Sequence, residues 1–233
     1  MKETDLTTLT IGEIVAQDFR AASVFKAAGI DFCCGGKKNL VEACSEKGIA
    51  TVEVLANLKK LEFAPNTTTH NFIEWEPGFL CDYIVNTHHK YILKAMPELV
   101  YYTQKISSVH GDRHPELNEV SALFSKLNDE LLLHLKNEEE ILFPMLMRVL
   151  NSGSVDLKTI MISEIARLSN EHEFAGGTMD RINVITHNYL VPADSCNTYQ
   201  VTFKLLEQFE DDLHTHVHLE NNVLFPKALK SAN

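Results

Sequence analysis

One phrase occurs twice in this chain, as HLKNEEEILFPMLM at residues 134–147 and as HVHLENNVLFPKAL at residues 216–229. Both copies follow one pattern: His, three residues, Glu, two residues, a β-branched residue and then Leu-Phe-Pro. Four residues turn an α-helix through little more than one full circle, so the His and the Glu of each copy share a face. The two side chains of each pair can therefore bind the same metal ion.

A lone histidine precedes each copy of this phrase. The separation is the length of chain that forms one helix and part of an antiparallel neighbour. His89 precedes His134 by 45 residues, and His172 precedes His216 by 44 residues. The chain thus contains two similar halves, each with one lone His and one His-x3-Glu pair. Two antiparallel helix pairs related by an approximate twofold axis would direct these side chains into one core. The six candidate metal ligands are His89, His134, Glu138, His172, His216 and Glu220.

The surroundings of the two pairs favour a metal site over surface ion pairs. A single His-x3-Glu phrase is commonplace on helix surfaces, but both copies here lead into apolar residues that include Phe143 and Phe225. Unpaired His and Glu side chains would be costly to bury in such surroundings, and a bound metal would satisfy them. Pro144 and Pro226 recur at the same offset, and each predicts a lost hydrogen bond and a bend in its helix.

The types of ligand narrow the choice of metal. Four imidazoles and two carboxylates without a thiolate favour iron, manganese or zinc over magnesium or calcium. If Glu138 and Glu220 both bridge, the protein fills most positions around two octahedral ions, and a solvent-derived oxo or hydroxo bridge fills others. The positions left open predict reactivity toward oxygen, nitric oxide or peroxide.

Helical periodicity extends over nearly the whole chain and predicts an all-α fold. Apolar residues recur at helical spacing over residues 10–30 and 39–62, and DFCCGGKK at 31–38 interrupts them. These segments predict a small helical N-terminal domain over residues 1–62. A polar, proline-containing linker follows at residues 63–76.

Four long helical patterns follow the linker, and β-branched alternation is scarce. The patterns cover roughly residues 77–103, 116–150, 155–190 and 196–231. Gly, Pro, Asn and Asp mark the short connections between them. Short connections favour antiparallel neighbours, so residues 77–233 are predicted to form an up-down-up-down four-helix bundle.

Bulk properties exclude several classes of function. The formal net charge of −11 argues against nonspecific nucleic-acid binding, which depends on a basic face. The N-terminus lacks the basic and apolar regions of a signal peptide, and no stretch is apolar for long enough to cross a membrane. Five cysteines without a secretory signal favour reduced thiols, so we expect a cytoplasmic protein with neither nucleic acid nor membrane as a partner.

Two adjacent cysteines interrupt the helical pattern of the N-terminal domain. Cys33 and Cys34 precede two glycines, and this pattern fits either a buried helix end with a glycine turn or a reactive thiol site. Lys37 and Lys38 follow at once, and nearby cations favour the thiolate that binds iron or exchanges disulfides. Adjacent cysteines chelate one ion poorly, so iron transfer here would need another ligand. The other cysteines are interpreted as apolar helix residues: Cys44, Cys81 and Cys196.

Three motifs together resemble one family. The paired H-x3-E and LFP phrases, NEHEFAGG at residues 170–177 and DFCCGGKKNL at residues 31–40 are similar to the repair-of-iron-centres (RIC) family, the ScdA/YtfE group of di-iron proteins. The resemblance implies an N-terminal domain with the Cys-Cys-Gly-Gly signature and a hemerythrin-like four-helix bundle. It also implies repair of iron–sulfur clusters damaged by oxidative or nitrosative stress, and it places the iron ligands on the six residues named above.

The resemblance also selects the first histidine ligand. His88 and His89 are neighbours that point about 100° apart on a helix, so only one of them faces the metals well. The family's first ligand lies eight residues before a Pro-Glu-Leu phrase, here residues 97–99, and this spacing selects His89. His214 and His218 are expected to be exposed helix residues. The histidines at linker or helix-end positions are assigned no role: His70, His110, His114 and His187.

The sequence therefore predicts a protein with two iron ions in an oxo- or hydroxo-bridged centre that supports iron–sulfur cluster repair by iron release or redox chemistry. Its partners would be damaged iron–sulfur proteins or cluster-assembly proteins, with oxygen or nitric oxide as small ligands. The alternatives are a hemerythrin-like protein that binds or senses oxygen or nitric oxide, and a di-iron reductase of nitric oxide or peroxide.

Glu171, beside His172, either lines a path to the metals or lies on a solvated face. The oligomeric state, a homodimer included, and enzymatic turnover stay open.

Overall fold

The computed structural model describes residues 6–63, 71–152 and 155–231, and helices dominate these ranges. No β-strand occurs within them, which confirms the predicted all-α fold. The α-helices are α1 Ile11–Gln17, α2 Ala21–Ala27, α3 Leu40–Lys47, α4 Thr51–Phe63, α5 Pro77–Ile84, α6 Lys90–His110, α7 Glu116–Asn137, α8 Phe143–Ser152, α9 Val155–Ile185, α10 Asn197–His218 and α11 Phe225–Ser231. Three π-helical segments interrupt the longer rods: π1 Val85–His89, π2 Glu138–Leu142 and π3 Leu219–Leu224.

The chain divides into two compact units. One comprises residues 1–80 together with residues 215–233, and the other comprises residues 81–214. The predicted division at a 63–76 linker differs from this grouping, because the C-terminal residues group with the N-terminal helices. Residues 64–70 of that linker lie outside the described ranges, and its domain bounds stay a prediction.

Local capping explains where the short N-terminal helices begin and end. Thr10 and Glu13 form a capping box at the start of α1, in which each side chain accepts a hydrogen bond from the other residue's backbone N–H. The side chain of Asn39 accepts the N–H of Glu42 at 2.8 Å and starts α3. Gly48 ends α3 in the left-handed conformation, with φ of 66°. These signals hold the helices on either side of the Cys33 turn.

The unit of residues 81–214 has a core of large apolar side chains from its long helices. The large side chains with almost no exposed surface include Ile92, Met96, Leu99, Phe124, Leu127, Leu168 and Phe209. Their spacing places one apolar stripe on each of α6, α7, α9 and α10. Within the part of the chain that the structure describes, no helix has both the length and the apolar character needed to cross a membrane.

The repeated Phe-Pro step coincides with the end of a π-helical segment. The N–H of Phe143 donates to the carbonyl of Glu138, and the N–H of Phe225 donates to the carbonyl of Glu220, five residues back in each case. The proline that follows each Phe has no N–H to continue the helical register. The sequence predicted a lost hydrogen bond here but not the π-helical turn. Such turns are frequent at functional sites.

Two helices end at positions that differ from the prediction. The first long rod extends to His110 rather than to residue 103, and α9 ends at Ile185 rather than at residue 190. After α9, residues 187–189 all have positive φ, which ends the helix. Polar residues near these two ends do not break a helix by themselves. The amino-acid composition therefore predicted the ends of the helices only approximately.

Candidate metal centre

Three predicted ligands of the unit 81–214 converge on one point in its core. His134 lies in the last turn of α7, Glu138 opens π2, and His172 lies midway along α9. Glu138 Oε1 lies 3.2 Å from His134 Nε2 and 3.6 Å from His172 Nε2, and the two Nε2 atoms are 3.0 Å apart. All three side chains are buried, and their candidate ligand atoms lie close enough together to share an ion.

The second oxygen of Glu138 faces a different histidine. Glu138 Oε2 lies 3.4 Å from Nε2 of His89, whose ring stacks on Phe143 at a centroid distance of 5.8 Å. The carboxylate is fully buried, with His89 on one oxygen and the pair His134 and His172 on the other. This is the arrangement of a carboxylate able to bridge two positions.

His88 is also buried, but it faces another carboxylate. Its Nδ1 lies 2.9 Å from Asp212 Oδ1, and its ring packs edge-on against Tyr83. The structure thus places His89 against Glu138 and His88 against Asp212. The choice of His89 as ligand stays a prediction, and sequence reasoning did not identify Asp212.

Two further carboxylates hold the outer nitrogens of the histidines. His89 Nδ1 lies 2.8 Å from Glu139 Oε1, and His134 Nδ1 lies 2.8 Å from Glu171 Oε2. The other oxygen of Glu171 accepts a hydrogen bond from Arg167. A carboxylate at Nδ1 fixes the proton there and leaves Nε2 as the lone-pair donor. Sequence reasoning missed Glu139, although an acid directly beside a ligand was an available signal.

Buried histidines and carboxylates shift one another's pKa values in this cluster. Burial disfavours the imidazolium, but the charge of Glu138 and hydrogen bonds to Glu138 and Glu171 outweigh it and raise the pKa of His134. Burial opposes the charged form of Glu138, yet His134, His172 and His89 hold the pKa of that carboxyl well below its usual range. The hydrogen bond from His134 lowers the pKa of Glu171.

The second copy of the phrase lies in the other compact unit. His216 Nε2 lies 3.1 Å from Glu220 Oε1, and both side chains are fully buried. Glu220 lies in π3, as Glu138 lies in π2. The two copies therefore share ligand spacing, burial and backbone form.

The prediction that His218 is exposed is wrong. It is fully buried, with its ring 5.8 Å from that of Phe32 and 6.0 Å from that of Phe19. Burial lowers the pKa of His218 to about 4, so the ring is neutral at physiological pH. Residues close to the N-terminus cover this helix face, and periodicity alone does not reveal contacts so distant in sequence. His214, also expected to be exposed, is half-buried.

The histidines that were assigned no role lie elsewhere. His110 Nε2 lies 3.2 Å from Cys196 Sγ, and His114 pairs with Asp194 at 3.1 Å. His187 has positive φ after α9. His70 lies outside the described residues.

A carboxylate organises the turn that carries the vicinal cysteines. Asp31 accepts the backbone N–H groups of Cys33 and Cys34 on one oxygen and that of Gly35 on the other. Cys33 is buried and Cys34 is half-buried, and their sulfurs are 3.9 Å apart without a disulfide. The Cys33 thiol donates to Asp31 at 3.1 Å. The turn is thus built around an acid that sequence reasoning did not single out.

The surroundings of Cys33 disfavour the thiolate that the lysines after it were expected to favour. Hydrogen bonding to Cys34, burial and the negative charge of Asp31 raise the pKa of the Cys33 thiol well above its usual range. Lys38, one of the two lysines that follow, pairs with Glu46 at 2.5 Å. Cys44 and Cys81 are buried helix residues as predicted, whereas Cys196 is exposed and precedes α10.

Family models match both parts of the chain. The ScdA_N model, a domain of unknown function, matches residues 7–62, and the hemerythrin HHE cation binding domain matches residues 82–228. The second match spans all six candidate ligands.

Similar proteins match over nearly their whole length. A Pectobacterium carotovorum protein named iron-sulfur cluster repair protein YtfE is 31% identical over 228 residues, which are 95% of this chain and 96% of that protein. A Staphylococcus epidermidis protein named iron-sulfur cluster repair protein ScdA is 32% identical over 222 residues, 93% and 96% of the two chains. A Yersinia pseudotuberculosis protein with the YtfE name is 32% identical over 229 residues, 97% and 99% of the two chains.

Proposed function

The chain belongs to the ScdA/YtfE family of iron–sulfur cluster repair proteins, and from this premise we propose that it repairs damaged clusters with two iron ions held in its helical bundle. The observation that carries the proposal is the bridging position of Glu138. One of its oxygens faces His89 and the other faces His134 and His172, all from a fully buried position.

The six proposed iron ligands are His89, His134, Glu138, His172, His216 and Glu220. Three observations support assigning both copies of the phrase to one set of ligands. They are the repeated phrase itself, the similar His-to-Glu geometry of the two copies, and the single hemerythrin match that spans all six residues. Nitrogen and oxygen donors without sulfur suit iron. A buried carboxylate among imidazoles also fits a cation better than it fits an apolar core.

Neighbouring carboxylates would determine which ring nitrogen of these histidines carries the proton. Glu139 and Glu171 accept the Nδ1 protons of His89 and His134, which directs the Nε2 lone pairs inward. When bound, the iron pair would supply redox chemistry and affinity for oxygen or nitric oxide.

We place the transfer step at Cys33 and Cys34, which are soft ligands outside the bundle ligand set. The Cys33 thiol is buried and its pKa is raised, which disfavours the thiolate that binds iron. The proposed acceptors are damaged iron–sulfur proteins or cluster-assembly proteins. In this scheme the bundle stores the iron and the turn passes it on.

Recovery of a damaged enzyme tests the function. An iron–sulfur enzyme inactivated by nitric oxide is treated with the iron-loaded full chain or with an equal amount of iron salt. We expect faster and more complete recovery of activity with the protein. Equal recovery in both arms would contradict cluster repair.

Metal analysis tests the cofactor separately. We expect two irons per full chain and the absorption band of a bridged diferric pair. One iron or none in a folded, iron-supplied protein would rule out the dinuclear centre.

The double variant Cys33→Ala/Cys34→Ala separates repair from the alternatives of gas binding, gas sensing, or nitric oxide or peroxide reduction. We expect the diferric absorption and nitric oxide binding to persist and the recovery of the damaged enzyme to fall strongly. A protein that only binds, senses or reduces a small molecule would keep its activity in this variant. Full repair by the double variant would remove the cysteines from the transfer step.

A further inference from the structure

The side chain of Asn222 connects π3 to the cysteine turn. Its amide Nδ2 donates to the carbonyl of Cys33 at 2.9 Å and lies 3.3 Å from that of Phe32. Asn222 lies two residues after Glu220 in the same π-helical segment. One amide therefore joins the backbone of the turn to the segment that carries a proposed iron ligand.

Two glycines leave the space that this amide occupies. A Cβ atom built at Gly36 would lie 2.5 Å from Asn222 Oδ1, and one built at Gly12 would lie 2.3 Å from the same atom. Real Cβ atoms do not approach so closely, so either the amide or the backbone would have to move. The second glycine of the Cys-Cys-Gly-Gly motif is thus explained by close approach of Asn222.

The turn has a second, internal anchor that is independent of Asn222. Asp31 holds the N–H groups inside the turn, while Asn222 holds carbonyl groups from outside it. The backbone of Ile11 also donates to the carbonyl of Lys38 at 2.8 Å and fixes the end of the turn to α1. Loss of Asn222 should therefore free the turn from π3 without unfolding it.

We propose that Asn222 is a positioning residue for the vicinal thiols, which holds Cys33 and Cys34 in register with the segment that carries Glu220 and is required for their part in cluster repair. This inference rests on the proposed function. A reagent in solution reaches the buried thiol of Cys33 only when the turn opens, and Asn222 sets how often it opens.

Thiol alkylation measures this opening directly. The full chain is treated with iodoacetamide, and the modification of each cysteine is followed by peptide mass spectrometry. We expect Asn222→Ala and the nearly isosteric Asn222→Asp to speed modification of Cys33 at least about tenfold, because both remove the donor to its carbonyl. Asn221→Ala is the matched control, with the same substitution one residue earlier in π3, and we expect a rate close to that of the parent.

Buried Cys44 in α3 reports whether the whole module has unfolded. Faster Cys33 modification with Cys44 still protected supports the proposal. An unchanged Cys33 rate in both Asn222 variants would overturn it, and so would equal acceleration in Asn221→Ala.

Gly36→Ala provides a second test that needs no substitution at Asn222, and a double-mutant cycle with Asn222→Ala extends it. Gly36→Ala alone should displace the amide and expose Cys33 to a similar extent. The three atoms nearest to its new Cβ all belong to the Asn222 side chain beyond Cβ, so Asn222→Ala removes these close contacts. We expect the two substitutions together to expose Cys33 no more than either one alone. Additive effects would show that Gly36 does not act through Asn222.

Repair and iron content complete the test. We expect Asn222→Asp to keep the parental iron content and to restore a nitric-oxide-damaged enzyme at one tenth of the parental rate or less. Parallel loss of iron and repair would overturn thiol positioning, because Asn222 would then support the metal ligands instead. If the parent protein fails to repair clusters while the alkylation effect holds, the proposed function fails and Asn222 is left as an anchor of the turn alone.

Discussion

The two copies of the His-x3-Glu phrase have the same inner residues and different outer faces. Nε2 to carboxylate distances are 3.2 Å for His134 and Glu138 and 3.1 Å for His216 and Glu220. All four side chains are buried, and each Glu lies in a π-helical segment that ends on a Phe-Pro step. Equal geometry at the ligands is what shared metal chemistry requires.

The outer faces differ at equivalent positions, two residues after each His and each Glu. In the first copy, Lys136 and Glu140 are an exposed pair 4.0 Å apart. In the second copy, His218 and Asn222 occupy those positions, and His218 is fully buried against Phe32. One face therefore meets solvent, and the other binds the cysteine turn. A repeated ligand phrase constrains the inner face of a helix and leaves its outer face free to take on another role.

The bridging carboxylates offer the strongest test of the shared inner face. Glu138→Leu and Glu220→Leu each remove an anionic ligand and keep apolar volume, so each should fold and lose about half or more of the parental iron. Metal analysis and circular dichroism of the two variants provide the measurement. Parental iron content in both would remove these residues from the ligand set, and strongly unequal loss would break the equivalence of the two copies.

The next largest effect separates two adjacent histidines. His89 faces Glu138 and stacks on Phe143, whereas His88 pairs with Asp212. We expect His89→Ala to lose far more iron than His88→Ala, with His88→Ala serving as the matched control for removal of a buried imidazole. A greater loss in His88→Ala would reverse the assignment.

The repeat predicted much of the site because ligand spacing on a helix is a local property. The phrase placed each His and Glu on one face, and the structure has helices at both copies with the pairs buried. The apolar stripes likewise predicted the long rods, since burial requires helical periodicity.

Other features depend on contacts that a local pattern does not contain. His218 is buried by Phe19 and Phe32, which lie far away in the sequence, so its helix position alone indicated exposure. The π-helical turns arise from a shift of one hydrogen bond, and the Phe-Pro step signalled only that a bond was missing. The pKa of Cys33 is raised by its hydrogen bond with Cys34, by burial and by Asp31, and the sequence pattern does not reveal the last two.

Replacement of Glu139 should produce an intermediate effect. Glu139→Gln keeps a hydrogen-bond acceptor near Nδ1 of His89 but removes the negative charge, so iron affinity should fall roughly 10- to 100-fold. Competition with a chelator measures the affinity. Glu140→Gln is the matched control on the exposed face and should stay within about threefold of the parent, because surface pairs contribute little. Equal losses in both variants would show a general effect of charge rather than an effect on His89.

The smallest effect is expected at Glu171, the corresponding acid on His134. Its side chain is 35% exposed and also pairs with Arg167, so the guanidinium already offsets part of its charge and water can replace part of its hydrogen bonding. We therefore expect Glu171→Gln to weaken iron binding by about tenfold or less, below the loss in Glu139→Gln. Arg167→Gln leaves the carboxylate in place and should keep iron affinity near the parental value in the same chelator competition. A loss in Glu171→Gln larger than that in Glu139→Gln would show that Arg167 strengthens the hold of Glu171 on His134, and the order of the two outer carboxylates would be reversed.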